Sequence, residues 1–127
     1  MKSGFVIAAV LLFFRTNSVP QSKVLQSITD STSVTYTLHH PLHKIEATSK
    51  EATISAEVDT VSKEIKSVTA KVDVMSFDSG NSNRDSHAME VVDALSFPEV
   101  SFISTAIDTA GDSIKVTGAL TFHGVSK

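Results

Sequence analysis

The densest group of reactive side chains lies in one polar segment, Phe77 to Glu90 (FDSGNSNRDSHAME), which holds Arg84, Asp85 and His87. Arginine presents a planar fork of donors, and the N-terminus of a helix adds backbone N–H groups. Together they could bind a polar or anionic head group. The alternative is structural, with Arg84 and Asp85 holding the loop in place, and the local chemistry favours this alternative.

The same segment does not predict a hydrolase. Asp85, Ser86 and His87 are neighbours in the chain and point in different directions, whereas nucleophilic triads are assembled across a fold. The G-x-S-x-G pattern of a nucleophile elbow does not occur in the sequence. We therefore assign no catalytic residue.

Three histidines form a second cluster, His39, His40 and His43 (HHPLH). Imidazoles this close together could bind zinc or copper. In a strand, however, His39 and His40 face opposite sides, and Pro41 then redirects the chain. We interpret the three as polar residues at a strand end and assign no metal ligand and no cofactor. A metal-binding protein stays a third reading.

Composition narrows the class of protein. A chain of 127 residues indicates one domain. The formal net charge is −3, so the chain does not have the excess of basic residues that is typical of a nucleic-acid-binding protein. The absence of cysteine excludes disulfides, thiolate zinc sites and a cysteine nucleophile.

The N-terminus has the pattern of an export signal. Lys2 precedes an apolar run from Gly4 to Phe14, which is too short to cross a bilayer, since that takes about 20 residues. Small residues at Thr16 and Ser18 predict cleavage after Ser18, so residues 1–18 are the signal peptide and the protein is periplasmic or secreted. The alternatives are a retained membrane anchor or a buried N-terminal strand. Residues 19–31 are interpreted as a polar leader.

The rest of the chain favours β-structure. Alternation with period two predicts strands over residues 34–38, 54–58, 68–75 and 114–123, with a weaker strand at 42–47. Residues 100–107 carry apolar side chains at both odd and even positions, which predicts a strand covered on both faces. Ala110-Gly111-Asp112 predicts a hairpin turn. One short helix is predicted near residues 85–95, with Asp85 as its N-cap, Ala88, Val91, Val92 and Leu95 on its apolar face and Pro98 blocking its continuation.

This pattern predicts an all-β, mainly antiparallel domain whose inner face is built of small apolar residues. Such a face either lines a ligand cavity, as in eight-stranded barrels, or forms an ordinary sandwich core. The alternation leaves both readings open.

Several short motifs then resemble the YceI-like family, in the family's order and spacing. They are Ser79-Gly80-Asn81, Arg84-Asp85-Ser86-His87, Phe97-Pro98-Glu99-Val100-Ser101-Phe102, and Gly118 to Val125 (GALTFHGV). The resemblance is clear over residues 68–127 and looser over residues 36–56. One departure is Ala88, which follows His87 where the family usually carries Leu or Met.

The resemblance implies a lipocalin-like antiparallel β-barrel that is exported to the periplasm. It implies a non-enzymatic protein that holds a long apolar chain, typically a polyisoprenoid or a fatty-acid-like lipid. Family members continue beyond the His-Gly-Val motif with strands that close the barrel. Residues 32–127 are therefore expected to form a truncated, open YceI-like barrel whose free sheet edges invite pairing in a homodimer.

Alternation parity selects the side chains expected to face the lipid. They are Tyr36, Leu38, Ile54, Ala56, Val68, Ala70, Val72, Val74, Phe102, Val116 and Leu120. Arg84 and His87 are the candidates for contact with a head group. The alternative function is a structural or stress-related interaction protein that uses its open sheet edges and binds no ligand.

Overall fold

Eight strands and one α-helix make up residues 19–127, the part of the chain described by the computed structural model. The strands are β1 (Ser22–Gln26), β2 (Val34–His40), β3 (His43–Ser49), β4 (Thr53–Asp59), β5 (Ile65–Asp73), β6 (Glu99–Ala110), β7 (Ser113–Phe122) and β8 (Val125–Ser126). The α-helix is α1 (Ser82–Val91), and short 3-10 turns span Thr29–Ser31 and Val74–Ser76. The predicted signal peptide lies outside the described residues.

Two antiparallel sheets are built from these strands. Six strands pair in the order β1-β4-β5-β6-β7-β8, while β2 and β3 form a separate hairpin. Every strand pair is antiparallel, which confirms the mainly antiparallel all-β class. The six-stranded sheet does not close into a barrel and is consistent with an open lipocalin-like barrel. No helix within residues 19–127 is long and apolar enough to cross a membrane.

The β2–β3 hairpin packs over one end of the six-stranded sheet. There it encloses a small cluster that we call the core end, formed by Ala47, Ala52, Val72 and Phe77. The ring of Tyr36 lies 5.2 Å from that of Phe77, measured between centroids. This packing buries apolar surface of both sheets and joins them into one structure.

Polar contacts fix the hairpin in place beside the core end. The hydroxyls of Ser49 and Ser76 are 2.6 Å apart. Thr48 and Asp78 exchange two backbone hydrogen bonds, of 2.9 and 3.1 Å. These contacts tie the hairpin to the segment that leads into α1.

Helix α1 begins and ends earlier than the sequence predicts. Its N-cap is Asn81, whose side chain accepts a hydrogen bond from Arg84 N at 3.0 Å, so the assignment of Asp85 as the cap is wrong. At the other end Asp93 adopts φ +48°, its N–H donates to Glu90 O, and Ala94 N–H donates to Met89 O. This Schellman motif ends the helix well before Pro98.

The turn at Asp93 also changes which side chains are buried. Because the chain leaves the helical period there, Leu95 is 87% exposed, while Ala94 is buried. Val91, in the last turn, is 68% exposed. The predicted apolar helix face is therefore wrong at Val91 and Leu95.

Two further expectations are corrected by the strand pairing. Part of the supposed polar leader is β1, an edge strand that pairs with β4 and places Leu25 opposite Ala56. Strand β5 ends at Asp73, whose carboxylate accepts a hydrogen bond from Met75 N at 2.7 Å. Val74 therefore lies in a buried 3-10 turn, outside the strand that alternation predicted.

The hairpin turns on either side of β7 use left-handed backbone. Gly111, with φ +60°, sits in the turn between Ala110 and Ser113, as predicted. Strand β7 ends at Phe122, one residue before the prediction, because His123 and Gly124 both have positive φ and make the turn to β8. The ring of His123 lies 4.3 Å from that of Phe97 between centroids, so the last motif packs against the Phe97-Pro98 motif.

Candidate functional site

The register of the six-stranded sheet determines which side chains share a face, because direct cross-strand partners point to the same side. Ile54 pairs with Ala70, Ala70 with Phe102, and Phe102 with Leu120, so these four form a row across the sheet. Eight of the predicted lipid-facing residues lie on this one face: Ile54, Ala56, Val68, Ala70, Val72, Phe102, Val116 and Leu120. Alternation therefore grouped them correctly.

A β-bulge explains the mixed pattern of β6. The register shifts between Ser104 and Ala106, which brings Ile107 onto the face of Phe102, opposite Val116. Ile103 points to the other side and is 59% exposed. The prediction that β6 is covered on both faces is therefore wrong, because the bulge accounts for apolar residues on both parities.

Coverage of the apolar face decreases away from the hairpin. Val72 is 6% exposed in the core end, whereas Leu120 is 50% exposed. We call the uncovered part of the face the open face; its members are Leu25, Ile54, Ala56, Val68, Ala70, Phe102, Val116 and Leu120. The open face is thus a stretch of half-buried and exposed apolar side chains on one side of the sheet.

The ring of Phe102 lies across Gly118 in the middle of the open face. A Cβ added to Gly118 would stand 2.5 Å from Phe102 Cζ and closer still to the backbone oxygen of Ile103. A glycine is required here because the ring and the neighbouring backbone fill the space of a side chain. Phe102 is therefore held flat against the sheet.

A cleft lies beyond the point where β5 and β6 separate. Their backbone pairing stops at Thr69 and Ile103, and Val68 N instead donates to the Ser104 hydroxyl at 2.8 Å. The cleft has a volume of about 330 Å³, within the range of small-ligand sites. Ile65, Ala106 and Ile107 form the apolar part of its lining, and the remainder is polar: Glu64, Lys66, Ser104, Thr105 and Thr109.

Three of the predicted lipid-facing residues lie elsewhere. Tyr36 and Leu38 belong to the hairpin, opposite Ala47 and Ile45. Tyr36 packs on Phe77 at the core end, and Val74 is buried in its 3-10 turn. The sequence could not separate these residues from the others because alternation assigns a face within a strand and says nothing about which sheet the strand joins.

Arg84 and Asp85 both brace the loop that precedes α1. Arg84 donates from Nε to the Ser79 hydroxyl at 2.9 Å and from Nη2 to Ser79 O at 2.8 Å. The Asp85 carboxylate accepts hydrogen bonds from Ser79 N, at 3.2 Å, and from the Ser79 hydroxyl. These contacts give both residues the structural role that the local chemistry favoured, while His87 lies exposed on the helix.

The braced loop lies beside Tyr36. Burial raises the pKa of the Tyr36 phenol above its ordinary value of 10.0, the negative charge of Asp85 raises it further, and Arg84 opposes the shift. The head-group candidate Arg84 is therefore at the hairpin side of the sheet, near Tyr36.

The three clustered histidines do not converge. His40 is the cross-strand partner of His43, whereas His39 pairs with Lys44 on the opposite face of the hairpin. In the described part of the chain, no group of three or more His, Asp or Glu side chains is arranged to hold a metal ion.

Comparisons with known proteins agree with these features. The profile of the YceI-like domain matches residues 25–127. Protein YceI of Salmonella newport is 26% identical over 127 residues, covering 98% of this chain and 66% of that protein. Protein YceI of Salmonella arizonae is 34% identical over 62 residues, covering 47% of this chain and 32% of that protein.

Solved structures show the same similarity. The YceI protein of Campylobacter jejuni aligns with a TM-score of 0.60 at 25% identity, over 71% of this chain and 54% of that one. Burkholderia cenocepacia BcnA aligns with a TM-score of 0.59 at 27% identity, over 84% of this chain and 62% of that one. The chain thus spans 66% or less of the length of each of these relatives. The profile match, the shared fold and the motifs that pack against one another show that this protein belongs to the YceI-like family.

Proposed function

We propose that this protein binds a long-chain apolar lipid, a polyisoprenoid or a fatty-acid-like molecule, and that it does so in the periplasm without catalysing a reaction. The observation that carries the proposal is the open face. Monomeric soluble proteins rarely expose contiguous apolar surface unless it binds something. Family membership supports the same conclusion, because the family is known as a lipid-binding fold.

Burial of the lipid chain is the main source of affinity. Each buried CH₂ group contributes about 0.8 kcal/mol before the costs of association and ordering. The Phe102 ring, held flat over Gly118, offers a rigid surface for part of the chain. The cleft beside Ile65 and Ile107 offers space for the remainder of the chain.

A polar head group would lie near the loop before α1. Arg84 donates hydrogen bonds from Nε and Nη2 to Ser79. Its side chain is exposed, so the remaining N–H groups of the guanidinium are accessible to a ligand. His87 is exposed in the same helix. We propose that both residues contact an anionic head group and contribute less to affinity than the open face does.

The test is a calorimetric titration of the delipidated protein with palmitate. Binding to the open face predicts a negative heat-capacity change, since apolar surface leaves water. Leu120→Asp places a charge on the open face and removes most of the affinity. The matched control is Ile103→Asp, which places the same charge on an exposed residue of the opposite face and leaves the affinity unchanged.

Two results would reject the proposal. One is the absence of palmitate and polyprenol binding to folded wild-type protein. The other is an equal loss of affinity in Leu120→Asp and Ile103→Asp, which would show that the charge acts on the fold rather than on a site. Circular dichroism of both variants establishes that each is folded.

The free sheet edges favour a second candidate, an interaction protein that pairs through them as a homodimer. Leu120 and Lys127 exchange two backbone hydrogen bonds, of 2.8 and 3.0 Å. The backbone N–H and C=O of Leu120 therefore point away from β6, toward the edge of the sheet. In an antiparallel strand such groups recur at every second residue, which leaves those of Gly118 and Val116 unpaired within residues 19–127. A monomer with a sharp, concentration-independent thermal transition would count against this candidate.

A further inference from the structure

We infer that His40 and His43 form a two-histidine binding site for a divalent transition-metal ion, with Cu²⁺ as the preferred ion, at the tip of the β2–β3 hairpin. The two residues are direct cross-strand partners on either side of the Pro41-Leu42 turn. Both side chains are exposed, so an ion can reach them from solvent. Neither residue belongs to the open face or to the core end.

The separation of the two rings fits a shared ion. Their centroids are 4.9 Å apart and their planes are tilted by 33°. A metal ion bound at about 2.0 Å from one nitrogen of each ring places the centroids about 4.5 Å apart for adjacent ligands of a square plane, the geometry of Cu²⁺, and about 5 Å apart for a tetrahedral angle. The hairpin therefore already holds the imidazoles at the distance that chelation requires.

The turn limits the cost of ordering the two ligands. Pro41 fixes its own φ, and strand pairing fixes the backbone of His40 and His43 on either side of it. The lone pair of His40 Nδ1 meets only Leu42 N, at a long distance of 3.4 Å. Because the ligands are preorganised and this contact is weak, little stabilisation is lost when the ion binds.

Among residues 19–127, the surroundings offer no third protein ligand. His39 points to the other face of the hairpin, where it pairs with Lys44, and the Lys44 ammonium forms an ion pair with Glu46. The remaining coordination positions are left for water. Imidazole nitrogen suits Cu²⁺, Ni²⁺ and Zn²⁺, and the Irving–Williams order places Cu²⁺ first.

The experiment is a calorimetric titration of the untagged full chain with CuCl₂, followed by electron paramagnetic resonance of the one-to-one complex. Wild type is expected to show two imidazole nitrogens on copper. His40→Ala and His43→Ala each weaken binding by about tenfold or more and leave one nitrogen. His39→Ala is the matched control from the same segment and retains wild-type affinity with both nitrogens.

Three results would overturn the inference. His39→Ala could weaken binding as much as His43→Ala, which would indicate an unstructured histidine cluster. The His40→Ala/His43→Ala double variant could bind copper like wild type, which would place the ion elsewhere on the chain. Folded wild type could also bind no copper. Palmitate affinity, measured on the same double variant, is expected to be unchanged, so the copper site and the lipid site are tested independently.

Discussion

The core end and the open face meet on one side of strand β5, and they differ in what covers them. On β5, Val72 is almost fully buried, while Val68 and Ala70 on the same face are only half-buried. The β2–β3 hairpin and Phe77 cover Val72, and no comparable segment of residues 19–127 lies over Phe102 or Leu120. Similar residues therefore have different roles, one holding the two sheets together and the other available to a ligand.

This difference separates stability from binding. A substitution that removes apolar contacts at the core end weakens the packing between the two sheets. A substitution on the open face changes side chains that are already partly exposed to solvent. Variants at the two places should therefore move different measurements.

The largest effect is expected from placing a charge at the core end. Val72→Asp buries a carboxylate between Ala47 and Phe77, and we expect it to lower the free energy of unfolding by about 4 kcal/mol or more. Leu120→Asp, on the same face but half exposed, costs about 1 kcal/mol. Urea unfolding measures both, and equal losses would contradict the distinction between the two regions.

A smaller effect is expected within the open face, where Gly118 supports Phe102. Gly118→Ala drives a methyl group into the Phe102 ring and the backbone of Ile103, and we expect a loss of about 2 kcal/mol. Gly111→Ala is the control, because it meets open space and only its positive φ is strained, at a cost of about 1 kcal/mol. Thermal unfolding compares the two. A Gly118→Ala variant as stable as wild type would show that Phe102 is not held in place.

The contribution of the loop that precedes α1 to stability can be tested at the helix N-cap. Asn81→Ala removes the side-chain acceptor for Arg84 N and is expected to cost about 1 kcal/mol. Asn83→Ala, two residues later and inside the helix, is the comparison and is expected to be neutral or slightly stabilising. Chemical denaturation of both proteins decides the point, and equal stabilities would contradict the assigned cap.

The smallest effect concerns Tyr36, the one tyrosine of the chain, which reports how well the core end excludes water. Its raised pKa favours the neutral phenol in the folded state, so this stabilisation is complete below pH 10.0 and is lost as the pH rises through the folded value. Tyrosinate absorbance should therefore titrate above 10.0 in the native protein and near 10.0 in denaturant. Asp85→Asn lowers the native midpoint and Arg84→Ala raises it. A native midpoint at or below the denatured one would contradict this packing.

Alternation predicted the strands and their shared face because a pleated strand imposes a period of two on any sequence that buries one side. It could not predict the bulge at Thr105, which leaves no local signal beyond apolar residues on both parities. It also could not show that Tyr36 and Leu38 join a separate hairpin, because sheet membership depends on contacts distant in sequence. The strand β1 was missed because an edge strand buries little and carries a weak pattern.

The candidate site was likewise predictable in part. All residues of the open face except Leu25 followed from the alternation, while their coverage depends on where the hairpin packs. Asp85 was chosen as a cap from its position before an apolar run, but Asn81 is placed one turn earlier by the loop that Ser79 and Arg84 close. Local chemistry favoured a structural role for Arg84, and the hydrogen bonds to Ser79 supply the reason.

The most direct test of the central claim, that the open face binds a lipid, is a native mass spectrum of untagged protein recovered from a periplasmic extract. Wild type, Leu120→Asp and Ile103→Asp are compared side by side. We predict a mass excess of one lipid in wild type and Ile103→Asp, released on collisional activation, and none in Leu120→Asp. An apo mass for all three proteins, or the same excess in Leu120→Asp as in wild type, would contradict the account.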